Sequence, residues 1–141
     1  MEGLYDRQLI MPEIGHKGQE KLSTSRVLVV GAGGLGSPIL LYLAAAGIGY
    51  LAIVDYDTVT LSNLNRQVLY TAEDVGHNKA ELAAQRIRQL NPHIDTLALS
   101  VKIDPEQSSH LIYDYDVVVD ASDNLETKSL LNVWCVKHKI P

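Results

Sequence analysis

Three groups of residues in this chain have the types and spacing to handle phosphate. The first is Gly31-Ala32-Gly33-Gly34-Leu35-Gly36, placed after the apolar run at 27–30 and before a helix-like segment. A strand, a tight glycine turn and a helix N-terminus together make an anion site from backbone N–H groups. Gly31 permits the turn, Gly33 and its neighbour Gly34 let the backbone approach phosphate, and Gly36 lets helix and strand pack closely. No lysine follows as in a Walker loop, so the turn is not a P-loop. By itself the motif is weak, because glycine turns also serve plain structure.

The second group lies between residues 55 and 79. Asp55 ends the next strand, where an acidic side chain takes ribose hydroxyls in this architecture, although strand-end aspartates are also ordinary. Asp57 fits either the start of a turn or a place near the phosphates. Asn63, Arg66 and Gln67 follow in a polar stretch. Arginine offers a planar fork suited to phosphate oxygens. Lys79 begins a helix, where a cation is unfavourable unless an anion is near. Its plain alternative is a solvated surface lysine.

The third group is Asp120-Ala121-Ser122-Asp123-Asn124. A carboxylate facing a triphosphate is repelled unless a cation lies between them, and magnesium bridges one or two carboxylates to phosphate oxygens. Asp123 is the metal candidate. Asp120 fits a structural or capping role, and capping is the bland reading for both. Arg7, far upstream, reads by itself as a surface charge. The five histidines show no ligand spacing and read as surface or packing residues. Cys135, among Trp134 and Val136, reads as an inert thiol.

The elements that must position these groups alternate. Strands are expected at Arg26–Val30, Tyr50–Val54, 95–101 and 116–119. Helices are expected at 37–46, Lys79–Leu90, from Asp104-Pro105 to about 113, and at 125–137. In the Lys79–Leu90 helix, Ala80, Ala83, Ala84, Ile87 and Leu90 recur on one face, and Asn91-Pro92 terminates it. Such alternation makes an α/β, Rossmann-like, mostly parallel sheet with flanking helices. The expected strand order is 3-2-1-4, with the ligand crevice between the first and fourth strands. Residues 1–25 read as an N-terminal helical arm and 26–141 as a nucleotide-binding domain. The last residues, His138-Lys139-Ile140-Pro141, resemble the turn into a fifth strand, as though the chain were the front of a longer protein.

The chain has 141 residues, 46% of them hydrophobic and 21% charged, with a net charge of -5. These are the proportions of one folded domain, and the acidic balance argues against nucleic-acid partners. No apolar run reaches a membrane span, and the N-terminus lacks a signal-peptide pattern. A single cysteine rules out an internal disulfide and fits the cytoplasm.

Taken in order, Tyr5-Asp6-Arg7-Gln8, Pro12-Glu13-Ile14-Gly15, Gly18-Gln19, the glycine turn, Asp55-Tyr56-Asp57, Ser62-Asn63-Leu64-Asn65-Arg66-Gln67, Lys79 and Ser122-Asp123-Asn124 resemble the adenylation domain of the ThiF/MoeB/HesA family. These are bacterial relatives of ubiquitin-activating enzymes. The resemblance spans essentially the whole chain. It implies ATP-dependent adenylation of the C-terminal glycine carboxylate of a ubiquitin-like sulfur carrier, of the ThiS or MoaD kind, with release of pyrophosphate. By that resemblance Asp55 holds ribose, Arg66 and Lys79 neutralise phosphates, Asn63 orients them, and Asp123 coordinates magnesium. Arg7 matches an arginine that the family's homodimers insert into the neighbouring site. The family's zinc-binding Cys-x-x-Cys pairs and reactive cysteine have no counterpart here and belong to a further C-terminal part. Asn65 stands where glutamine is common. Two other readings remain beside it: an NAD-binding oxidoreductase domain, which the turn and Asp55 allow, and a noncatalytic nucleotide-binding fragment or subunit.

Overall fold

The computed structural model describes residues 3–106 and 109–141. Four strands form one parallel sheet: β1 (Arg26–Val30), β2 (Tyr50–Val54), β3 (Asp95–Leu99) and β4 (Val117–Asp120), in the expected order β3-β2-β1-β4. The two central strands, RVLVV and YLAIV, are buried along nearly their whole length. That is why they read as continuous apolar runs and not as alternating ones.

Alternate side chains of each strand leave on opposite faces, and helices cover both. Val27, Val29, Leu51 and Ile53 pack with α3 (Gly36–Ala46) and α4 (Lys79–Leu90). Leu28, Val30, Ala52 and Val54 pack with Ile112 and with Leu131 and Trp134 of α5 (Leu125–His138). Ala44, Ala80, Ala83 and Ala84 are fully buried, so the helices of the first face sit close to the sheet. Each fully buried Leu, Ile or Val contributes about 1.5–3 kcal/mol. Leu90, expected on the same face, is exposed in the last turn of α4.

Two further helices, α1 (Asp6–Leu9) and α2 (Gly15–Thr24), precede β1. They are tied to the end of α3 by amides: Gln8 Nε2 and Gln19 Nε2 both donate to the Ala46 carbonyl, at 3.0 and 3.1 Å. Buried Asn91 donates from Nδ2 to Tyr5 Oη at 2.6 Å and to the Ala44 carbonyl at 3.0 Å.

Several element boundaries differ from expectation, α3 starting one residue earlier, at Gly36, and β4 ending one residue later, at Asp120. β3 stops at Leu99, whose carbonyl accepts the Asp55 N–H at 3.1 Å; residues 101–103 then leave the sheet. β4 starts at Val117, because the Asp116 side chain accepts the Arg26 N–H at 2.8 Å, outside the regular ladder. The helix expected from Asp104 is instead a turn, with Asp104 Oδ1 accepting the Glu106 N–H at 2.8 Å, followed by a 3₁₀ turn at Ser109–Ile112; residues 107 and 108 lie outside the described ones. α5 runs one residue further, to His138, and ends on Lys139 in the left-handed conformation. Beyond it the Pro141 carbonyl accepts the Val118 N–H at 2.9 Å, along the outer edge of β4.

Candidate functional site

A cavity of about 510 Å³ opens at the carboxyl ends of the strands, at the crevice between β1 and β4 where the strand order reverses. The segment after every strand contributes to it: Gly31, Gly33 and Gly34 after β1, Asp55 and Asp57 after β2, Lys102 and Ile103 after β3, Ser122 and Asp123 after β4. Arg66, Gln67 and Lys79 complete the wall.

The glycines divide into two pairs. Gly31 has φ +98, and a Cβ there would lie 2.6 Å from the Ala121 carbonyl oxygen. A Cβ on Gly36 would strike the Gly31 carbonyl. The fold itself therefore demands these two. Gly33 and Gly34 are different: a Cβ would meet only the side-chain ends of Gln67 at 3.4 Å and Arg66 at 3.6 Å. Nothing in the backbone around them requires glycine. Their bareness opens the cavity at the start of α3, where the first N–H groups of a helix have no intrahelical acceptor.

Asp55 ties this turn to β2. Its Oδ2 accepts the Ala32 N–H at 2.7 Å and its Oδ1 the Asp57 N–H at 2.9 Å. Burial pushes its carboxyl above the ordinary value of 3.8, and the two N–H bonds oppose that rise. So the strand-end aspartate is structural, and it also faces the cavity with lone pairs to spare.

Asn78 caps α4 and binds everything around it. Its Oδ1 accepts the Glu81 N–H at 3.1 Å, and its Nδ2 lies 3.3, 3.2 and 2.8 Å from the Asp55 carbonyl, the Asp57 carbonyl and Ser100 Oγ. Lys79 follows as the first residue of α4. It is buried, contrary to the surface-lysine reading, with 5% of its surface exposed. Its Nζ lies 3.4 Å from Asp57 Oδ2.

The stretch after β2 folds over the glycine turn. Tyr70 Oη donates to the Ala32 carbonyl at 2.7 Å and reaches the Lys79 carbonyl at 3.3 Å. Burial, with Asp55 and Asp74 nearby, pushes its phenol far above the usual range, so it stays a donor. Arg66 is exposed, its Nη1 resting on the Ser62 carbonyl and Asn65 Oδ1 at 3.2 and 3.1 Å. Gln67 is buried, and its Oε1 has no partner among the described residues. Asn63 does not line the cavity. Its side chain turns back to the Thr60 N–H, and its carbonyl accepts the Arg66 and Gln67 N–H groups at 3.1 and 3.0 Å.

Across the cavity, Asp120 Oδ1 accepts the Ser122 N–H and hydroxyl at 3.0 and 2.6 Å and pairs with Lys128 at 3.4 Å. Asn124, not either aspartate, caps α5 by accepting the Thr127 N–H at 2.9 Å. Asp123 is left exposed at the cavity wall. Arg7 sits in α1, exposed and outside the cavity. Cys135 does not line the cavity; it is partly buried against the core that holds Leu28, Leu131 and Trp134, its thiol pushed up by burial and by Asp120.

The sequence reading missed Asn78, Tyr70 and Lys102. Asn78 carried a usable signal, an asparagine before an apolar-periodic run. Lys102 could have been placed by noting that every segment after a parallel strand faces the same edge.

Phosphate fits this cavity: a buried cation faces it and two glycines clear its floor. Among the described residues, no group of three or more His, Cys, Asp or Glu could hold a metal. Magnesium could therefore sit here only with ligand oxygens completing its shell, as it does with one carboxylate and phosphates. The carboxylates that line the cavity are those of Asp55, Asp57 and Asp123.

The chain is similar to known proteins along most of its length. It is 51% identical over 128 residues to the sulfur carrier protein adenylyltransferase of Thermus thermophilus, covering 91% of this chain and 47% of that protein. It is 49% identical over 137 residues to the SAMP-activating enzyme E1 of Haloferax volcanii, covering 97% of this chain and 51% of that one. The chain thus spans about half the length of these curated relatives. Its fold matches the ATP complex of the E. coli tRNA N6-threonylcarbamoyladenosine dehydratase TcdA, with a TM-score of 0.86 and 35% identity over 90% of this chain and 53% of that one. The sequence pattern of the ThiF family matches residues 5–141, and the chain belongs to that family.

Proposed function

We propose that this chain is the nucleotide-binding part of an ATP-dependent adenylyltransferase acting on the C-terminal glycine carboxylate of a ubiquitin-like sulfur carrier. One observation carries the reading. Buried Lys79 and exposed Arg66 face the bare backbone of Gly33 and Gly34 in one cavity, between Asp55 and Asp123. The names of the relatives from T. thermophilus and H. volcanii support the substrate class.

In this reading the carrier carboxylate attacks the α-phosphorus of ATP. A new oxygen–phosphorus bond forms, the bond to the bridging oxygen breaks, and pyrophosphate leaves with the electron pair. Two anions must be brought together, so the residues' task is to offset repulsion and align the attack. Asp55 takes the ribose hydroxyls. The turn from Gly31 to Gly36 presents the N–H groups of Gly33 and Gly34 to phosphate, the Gly31 N–H being held by the Val54 carbonyl at 2.8 Å. Arg66 and Lys79 neutralise it, Gln67 adds an amide, and Asn63 holds Arg66 and Gln67 through its carbonyl. Asp57 lies beside them. Magnesium, held by Asp123 and phosphate oxygens, supplies further charge neutralisation when bound.

Arg7 does not line the cavity of its own chain; in a homodimer it would serve the neighbour's, with residues 1–25 as the arm that carries it. The described helices include none long and apolar enough to cross a membrane.

Calorimetric titration with ATP and magnesium tests the site, and carrier-dependent ATP–pyrophosphate exchange in the full protein tests the reaction. ATP binding should weaken at least about tenfold, or about 1.4 kcal/mol, in Asp123→Ala or when magnesium is withheld. Arg66→Ala should abolish exchange. Binding of NAD without ATP would replace the reading with the oxidoreductase one.

A further inference from the structure

The ion pair between Lys79 and Asp57 has the features of a temporary contact. The Lys79 side chain is 7% exposed, yet its Nζ meets a carboxylate at 3.4 Å, long for a charge-assisted bond, which is about 2.7–2.9 Å. Its position is costly in two further ways. It is the first residue of α4, at the positive end of the helix, and burial removes water from the ammonium. A cation held there needs an anion, and among the described residues Asp57 is its only ion-pair partner.

Asp57 is built to supply that anion without being fixed to it. Its backbone is locked: its N–H donates to Asp55 Oδ1 at 2.9 Å, and its carbonyl accepts the Lys79 N–H at 3.0 Å and Asn78 Nδ2 at 3.2 Å. Its side chain is 52% exposed and free to swing into water. Both residues line the cavity.

We propose that Asp57 is a stand-in for phosphate, neutralising Lys79 in the empty cavity and giving it up to an incoming polyphosphate. This rests on the nucleotide reading only for the identity of the natural ligand; the exchange itself concerns any polyphosphate anion. Two consequences follow. The empty protein gains stability from Asp57, and the same carboxylate opposes anion binding by competing for Lys79.

The test uses the whole chain, with inorganic tripolyphosphate and, separately, ATP as probes in calorimetry, both without magnesium. Asp57→Asn keeps the backbone bonds and the side-chain shape. It should bind tripolyphosphate about three- to tenfold more tightly than the parent chain, while its ligand-free melting temperature falls. In a Lys79→Met background the substitution should change tripolyphosphate affinity by less than about twofold, because the competition is gone.

Unchanged or weaker tripolyphosphate binding in Asp57→Asn overturns the proposal, as does absence of binding by both proteins. A gain that persists in the Lys79→Met background overturns it too, since general charge repulsion then accounts for it. The nucleotide reading fails separately. If Asp57→Asn gains tripolyphosphate binding but neither protein binds ATP with or without magnesium, the stand-in survives and the nucleotide does not. If ATP binds and Asp57→Asn changes nothing, the reverse holds.

Discussion

Asp55 Oδ2 accepts the Ala32 N–H at 2.7 Å, fastening the carboxyl end of β2 to the glycine turn after β1. One carboxylate thus shapes the floor of the cavity and lines its wall. Asp55→Asn retains an oxygen for the Ala32 N–H but turns its NH2 toward the Asp57 N–H, so it should lose some stability, less than Asp55→Ala. Asp55→Ala loses both backbone bonds and should cost about 1–3 kcal/mol. Denaturant unfolding of the two variants measures the difference.

The two glycine pairs should separate in experiment. Gly36→Ala drives a methyl into the Gly31 carbonyl, and about 3 kcal/mol or more of stability should be lost. Gly33→Ala meets only a movable side chain, so stability should change by less than about 0.5 kcal/mol. ATP affinity should nevertheless drop. Equal destabilisation by both substitutions would show that the pairs do not differ.

Asn78 joins α4 to the ends of β2 and β3. Asn78→Ala should cost about 2 kcal/mol, combining a lost N-cap with carbonyls left unpaired. Asn78→Asp keeps the cap acceptor but not the donor, and should recover part of the loss. Chemical denaturation of both variants gives the partition.

Asp74 and Asp55 should tilt the acid stability profile in opposite directions. Burial raises the Asp74 carboxyl, but the Thr71 N–H and hydroxyl and Arg86, at 2.7, 3.0 and 3.2 Å, outweigh it and hold it below 3.8. The stability it contributes is present above 3.8 and is lost as pH falls through the lower folded value. Asp55 is raised above 3.8, so the folded state holds its proton more tightly than the unfolded one. Its contribution declines as pH rises from 3.8 through the folded value. Melting curves across the acid range should therefore lose part of their low-pH fall in Asp74→Asn. In Asp55→Asn they should lose a decline that sets in above 3.8.

Much of this architecture is legible in the residues, and the reasons are physical. β1, β2 and α4 are strongly patterned, since burial on two faces or on one helical face leaves a long apolar signature. Strand–helix alternation with right-handed crossovers leaves few sheet orders, and the expected one occurs. The glycine turn, Asp55 and Arg66 meet in the cavity because that topology brings the strand ends together. The segment from Asp104 was misread because Asp-Pro opens turns as readily as helices, and no periodic apolar face followed to decide between them. Burial of Lys79 and its pairing with Asp57, 22 residues away, arise only in three dimensions. Asn63 was expected at the ligand, but its amide is used locally to close a 3₁₀ turn.

The pairing of β1 with β4 has a consequence for how the protein comes into being. Val27 lies beside Val117, and near them the Arg26 N–H bonds to an aspartate 90 residues further along the chain. Loop-closure entropy for such a contact must be met before the contact can reward it. β1, β2 and α3 can assemble from neighbours in sequence, whereas the side of the crevice bearing Asp123 waits for β4. Nucleotide capture would therefore report the pairing of β1 with β4, and a nascent chain lacking β4 would carry the glycine turn without a place to close on its ligand.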